Sequence, residues 1–180
     1  MNNELIEQYK IKAFGYYIKS DYLTAIDYYE KIIGLGFESA KLYHKIGVCY
    51  HELEKYNQAV TYYLKALKID FEKTNGEFYY NLAIAYRDLN KFNDGIIICK
   101  ESLTYFPNSY LIHRILGNLY VCILRSDLAE ESFLKAIELN PNDDISYDNL
   151  GHMYKTIGEF DKGKKYIDKG FEILHKNLNK

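Results

Sequence analysis

This chain has no tryptophan, only 2 prolines and 3 cysteines, and positive and negative charges that nearly cancel to a net −2. Each shortage excludes something. With 2 Pro and 11 Gly, little interrupts the chain, which favours long helices over a loop-rich sheet protein. Cys49, Cys99 and Cys122 are odd in number and have no paired spacing, so no disulfide framework is expected, and free thiols in a reducing cytoplasm are. The near-neutral balance argues against a protein that grips phosphate backbones, so no nucleic-acid partner is expected. No apolar run approaches the roughly 18 residues of a membrane span. The opening MNNELIEQYK lacks the basic-then-apolar pattern of a secretory signal. The expectation is a soluble cytoplasmic chain with no membrane partner. At 48% hydrophobic residues it can still build a continuous core.

Chemistry-bearing motifs are equally scarce. There is no Gly-rich phosphate loop, nucleophile elbow or His-Glu-x-x-His helix, so catalysis and a cofactor are not expected. His44 and His51 are seven apart and could share a helix face with His152 on the same side, but too few further ligands stand near to hold a metal. They read better as surface histidines in a groove. Cys49 and Cys99 read as small core residues, and Cys122 as lying nearer the groove.

What the chain does contain is one design written five times. YDNLGHMYKTIGEFDKG (147–163) reappears as YHKIGVCYHELEKYNQA (43–59), YYNLAIAYRDLNKFNDG (79–95) and HRILGNLYVCILRSDLA (113–129), with a worn copy YKIKAFGYYIKSDYLTA at 9–25. Tyr16, Tyr50, Tyr86, Tyr120 and Tyr154 are separated by 34, 36, 34 and 34 residues. Three residues before each stands Ala13, Gly47, Ala83, Gly117 or Gly151, and nine after stands Ala25, Ala59, Gly95, Ala129 or Gly163. Four further on come Tyr29, Tyr63, Cys99, Phe133 and Ile167, and Pro107 and Pro141 share one column. Spacing of three and four within each copy predicts α-helix, and a second helix is expected to begin at Asn57, Asn93, Asp127 and Asp161 as N-caps, with Asp21 substituting in the first copy. Gly inside a helix costs up to about 1 kcal/mol relative to Ala, so its recurrence predicts a close helix crossing filled by the facing Tyr or Phe.

These columns resemble the tetratricopeptide repeat: an aromatic, Leu-Gly, Tyr, Ala, an aromatic, Ala and Pro at set spacings. The resemblance covers about Ile6 to Asn177 and implies an all-α protein, a right-handed α-α superhelix (solenoid) of five helix-turn-helix units. Residues 1–180 are expected as one array, with repeats at approximately 6–39, 40–75, 76–109, 110–143 and 144–177. Departures are visible. Lys12 replaces the apolar residue of later copies, so the first unit's edge is expected to be wetter. Lys73-Thr74-Asn75-Gly76 supplies a two-residue insertion, read as a surface loop. Ser126 replaces an aromatic, which predicts a looser turn. Val60, Leu64 and Leu67 are expected to face the next unit. Their counterparts Lys164, Asp168 and Phe171 are more polar, as suits a terminal repeat, and the chain is expected to end there without a capping helix, with Phe171 and Leu174 partly exposed.

The resemblance also implies a function: first helices lining a concave groove that holds a peptide or partner segment. Carried onto this sequence, the groove positions are Lys10, Phe14 and Tyr17; Lys45, Val48 and His51; Tyr80, Asn81, Ile84 and Arg87; Arg114 and Asn118; Asn149, His152 and Lys155. The expectation is a protein-interaction scaffold with a protein or peptide partner. The alternative is a self-associating assembly scaffold, a weak homo-oligomer through its terminal helices. A minor alternative is capture of C-terminal carboxylate tails of chaperones, for which Arg114, Asn118 and Asn149 match three of five places in the family's clamp.

Overall fold

The computed structural model describes residues 2–69 and 76–179. Among them lie ten helices and no strand: α1 (Asn2–Tyr17), α2 (Tyr22–Gly34), α3 (Ala40–Glu52), α4 (Tyr56–Ile69), α5 (Glu77–Asp88), α6 (Phe92–Tyr105), α7 (Tyr110–Cys122), α8 (Ser126–Leu139), α9 (Asp144–Thr156) and α10 (Phe160–Leu178). The chain divides into two compact units, Met1–Leu89 with α1 to α5 and Asn90–Lys180 with α6 to α10. Lys73, Thr74 and Asn75 of the expected loop lie outside the described residues, whereas Gly76 precedes α5 with φ 80°, a left-handed conformation natural to glycine.

In the first unit α1 packs on α2 and α3 on α4; in the second, α7 packs on α8 and α9 on α10. The small-residue columns explain the closeness of these pairs. A Cβ on Gly47 would stand 2.6 Å from the Tyr63 ring, and one on Gly117 would stand 2.6 Å from the Phe133 ring. At the α9–α10 crossing the backbones themselves meet: a Cβ on Gly151 would lie 2.8 Å from the Gly163 carbonyl oxygen, and one on Gly163 would lie 2.8 Å from that of Gly151. Tyr63 and Phe133 are fully buried, a gain of about 2–3 kcal/mol each from apolar burial. Lys12 is exposed where Ile46, Leu82 and Leu150 are fully buried, as the wetter edge of the first copy anticipated. Leu67 is buried, but Leu64 is 43% exposed, so only part of the expected face is covered.

The turns differ from expectation. Helices α4, α6, α8 and α10 begin one residue before Asn57, Asn93, Asp127 and Asp161, so these side chains lie in the first turn instead of capping it. Of the expected caps Asp21 does act, accepting the Thr24 N–H at 3.2 Å. The stops lie in the residue before. Ser20, Glu54, Asn90, Leu124 and Gly158 occupy one column and all have positive φ (59°, 57°, 57°, 61° and 88°). In four of the turns the backbone closes the same pair of bonds, a Schellman motif. Lys55 N–H donates to the Tyr50 carbonyl (2.9 Å) and Glu54 N–H to that of His51 (2.8 Å), and the bonds recur at Tyr16, Tyr120 and Tyr154. The Ser126 turn closes with bonds of 2.9 and 3.0 Å and is not loose, because backbone and not the aromatic side chain holds it.

Clustered tyrosines, one stacked and one tilted pair in each, fill the other flank of three helix pairs. The Tyr28 ring lies against Tyr9 and Tyr16 (5.7 and 5.6 Å between centroids), Tyr62 against Tyr43 and Tyr50 (6.1 and 5.3 Å), and Tyr166 against Tyr147 and Tyr154 (6.4 and 5.5 Å). Such pairs add about 0.5–1.5 kcal/mol each beyond area burial.

Candidate functional site

In the first unit, α1, α3 and α5 turn one row of side chains each toward a shared open surface with two adjoining hollows. The first, about 210 Å³, is lined by Phe14, Tyr17, Tyr29, His44, Lys45, Val48 and Glu77. The second, about 200 Å³, is lined by Val48, His51, Glu52, Tyr63, Asn81 and Ile84. Val48 borders both. The surface therefore brings together Phe14, Tyr17, Lys45, Val48, His51, Asn81 and Ile84 of the residues expected from the sequence. Phe14 is 53% exposed and the Lys45 ammonium lies 5.7 Å from its ring, a cation held over an uncovered aromatic face.

Acidic groups, absent from the expected positions, form the far end. Asp88 accepts from Arg87 (2.9 Å) and stands 2.9 Å from His51 Nε2, and the Tyr22 hydroxyl donates to Glu52 at 3.4 Å. Burial, and then the Glu52 charge, raise the Tyr17 phenol. Glu52 and Asp88 share a column 36 residues apart at the ends of α3 and α5, a regularity that could have disclosed them. Burial also carries the Tyr29 phenol and the Cys49 and Cys99 thiols up to about 12, so both cysteines are inert core groups, while Cys122 is exposed.

One expected column does not open onto the surface as read. His44, taken for a surface histidine, is buried. Its ring stacks on Phe78 at 4.1 Å, and Asn81 Nδ2 lies 2.8 Å from its Nε2. Burial, with a lesser contribution from Lys45, lowers its pKa to about 4, so the ring is neutral and its Nε2 accepts from Asn81. Arg114, in the same column 70 residues on, is buried too. Its Nη1 donates to Asp143 at 2.6 Å, and Asp143 also accepts from Ser146. Lys10 pairs with Glu7 at 2.7 Å and lies over Phe37 at 4.4 Å. Through His44 and Arg114 this column fastens a first helix to residues 37 and 29 positions later in the chain. Arg114 is thus engaged in a structural ion pair, which removes a key member of the expected carboxylate clamp.

In the second unit Asn118 and Asn149 are half-buried, while His152 and Lys155 are exposed, His152 facing Asp148 at 3.4 Å. Tyr80 is half-buried on α5 and has further interactions. Among the described residues no group of three His, Cys, Asp or Glu side chains gathers to hold a metal ion, and no helix is long and apolar enough to cross a membrane.

Family profiles described as tetratricopeptide repeat match residues 40–72, 76–109, 115–143 and 132–165. The chain belongs to the tetratricopeptide repeat family. A curated relative, the anaphase-promoting complex subunit CDC16 of Saccharomyces cerevisiae, is 26% identical over 137 residues, which is 76% of this chain but only 16% of that protein. The chain therefore spans about a sixth of that relative's length. Among solved structures, a crystal structure of MamA is similar with TM-score 0.77 and 23% identity, covering 93% of this chain and 97% of that one. The Pseudomonas aeruginosa pilF structure is similar with TM-score 0.78 and 18% identity, covering 95% and 77%. At such identities the likeness shows the fold, and the all-α class of α-α superhelix implied by the family resemblance stands. Membership in this family and this fold support a protein-interaction scaffold.

Proposed function

We propose that the open surface of α1, α3 and α5 is where this scaffold receives a segment of a partner protein. The observation that carries the reading is Phe14: a large aromatic left half-uncovered beside two hollows, with Lys45 over its ring and the Glu77 and Glu52 carboxylates bordering the first and second hollow. Apolar contact at Phe14 and Val48 supplies affinity, and Lys45, Glu77 and Glu52 offer the segment charged partners around that floor. Affinity capture from lysate of the source cell, comparing wild type with Phe14→Ser/Lys45→Glu, tests it. Both substituted side chains are exposed, so helicity and melting should be unchanged while the partner is lost. A partner retained at wild-type level overturns the reading.

A second reading, self-association, is favoured by α10. Phe160, Phe171 and Leu178 on it are 67%, 58% and 74% exposed, and Phe171 and Leu174 border a hollow of about 310 Å³ with Ile145. Such an apolar strip suits a second protein surface. Light scattering over a concentration series decides: a mass that rises with concentration and falls back in Phe171→Glu supports it, and a concentration-independent monomer rejects it.

A further inference from the structure

The first and last copies of the repeat each leave a face uncovered that the other copies cover. Each second helix packs on the first helix of the next copy: α2 on α3, α4 on α5, α6 on α7 and α8 on α9. In the column of Phe171, Ile33, Leu67, Leu103 and Ile137 are buried or half-buried, whereas Phe171 is 58% exposed. In the column of Phe160, Tyr22, Tyr56 and Phe92 are half-buried, and Phe160 is 67% exposed. Residues 160, 171, 174 and 178 fall at helical spacing, so α10 carries one continuous apolar stripe. Helix α1 shows the converse. The column of Cys49, Ala85, Leu119 and Met153 is buried in every later copy, and in α1 it holds Gly15, where an added Cβ meets nothing within 4 Å. Ile11 and Ile18, four residues before it and three after, share its side and are 72% and 64% exposed.

Side chains at the successive junctions are matched in polarity. The Tyr22 hydroxyl donates to Glu52 of the next copy at 3.4 Å, and His51 links Tyr56 (5.1 Å between ring centroids) to Asp88 of the next (2.9 Å). The same two columns then hold Phe92 with Cys122 and Ser126 with Thr156. The last copy offers Phe160, with no hydroxyl to place, and the first offers Ile18, with no carboxylate to receive one. We propose that α10 of one chain docks head to tail on α1 of a second copy of this chain, the stripe of Phe160, Phe171 and Leu174 against Ile11, Gly15 and Ile18. Head-to-tail docking rests on the self-association reading and names the face that α10 meets. Two different faces join, so each docked copy presents a fresh α10 and growth does not stop at a dimer. Gln8 is exposed in the column where Leu42, Phe78 and Ile112 are buried, and the Lys164–Asp168 ion pair lies on α10. These polar groups make the junction weaker than those within the chain, so assembly depends on concentration.

The test is sedimentation velocity of the full chain, of Ile18→Glu, of Phe171→Glu, and of an equimolar mixture of the two variants, from about 10 µM to about 1 mM. Both side chains are exposed, so each variant should keep wild-type helicity. Wild-type mass should rise past that of a dimer without a plateau. Each variant alone should lose association by roughly tenfold or more, because a buried carboxylate spoils one of its two faces. In the mixture, Phe171→Glu keeps a sound α1 face and Ile18→Glu a sound α10 face. The mixture should therefore form two-chain complexes of one variant with the other, and nothing larger. A mixture that stays monomeric overturns head-to-tail docking. So does an Ile18→Glu chain that associates like wild type while Phe171→Glu does not, since α10 would then pair with itself and self-association alone would stand. A wild-type chain that is monomeric throughout overturns both.

Discussion

Acidification should loosen the joint between α3 and α5 through one side chain. His44 is buried against Phe78 and accepts from Asn81, and its pKa is lowered from 6.5 to about 4, first by burial and then by Lys45. Above pH 6.5 the ring is neutral in folded and unfolded chains alike, and it contributes no pH dependence. As pH falls below 6.5 the unfolded chain takes up a proton that the folded chain refuses, so stability declines until the folded ring itself titrates near pH 4. At about 1.4 kcal/mol per pH unit, the full window is worth roughly 3 kcal/mol, a large share of the stability of a chain this size. The informative quantity is the difference between wild type and His44→Gln, which cancels what every other group contributes, because the glutamine amide can still accept from Asn81 but cannot be protonated. Urea unfolding of both at several values between about pH 7.5 and about pH 4.5 measures it. The stability of wild type relative to the variant should fall steadily as pH drops. A flat difference would refute the reasoning, because it would mean that the unfolded and folded imidazoles titrate alike.

The packing sets three further outcomes. Leu124 sits at φ 61° and is 86% exposed, so Leu124→Gly should stabilise the chain by roughly 1 kcal/mol in urea unfolding by relieving left-handed strain. Gly117→Ala should cost about 1–3 kcal/mol because the added methyl meets the Phe133 ring at 2.6 Å, and a compensating Phe133→Leu in the same chain should recover part of the loss in a double-mutant cycle. Arg114→Met leaves Asp143 buried without its cation and should cost about 3–5 kcal/mol by thermal or urea unfolding, whereas adding Asp143→Asn should restore most of it by removing the stranded charge.

Much of this fold was open to reading in one dimension. Helix spacing, the glycine columns at 47, 117 and 151, the bulky partners at 63 and 133, and the stops after α6 and α8 at Pro107 and Pro141 all concern contacts between an element and its immediate neighbour. A repeated sequence reports such contacts once per copy, so the pattern stands clear of chance. The turns were misread at the N-caps because the closing bonds run between backbone groups. Ser20, Glu54, Asn90, Leu124 and Gly158 share a conformation and almost no side-chain chemistry, which a residue pattern cannot display.

The repeat columns by themselves carried the paired helices and their stacking, since a 34-residue period leaves each helix pair with an unsatisfied apolar face that a neighbouring pair must cover, while the superhelix and the row of first-helix side chains came with the family resemblance. Only the tertiary structure decided which members of that row meet solvent. His44 and Arg114 look as open in sequence as Lys45 and Asn118, yet residues 37 and 29 positions further along, Asn81 and Asp143, draw them inward. Burial of a polar side chain depends on whether a partner from a distant stretch arrives to satisfy it.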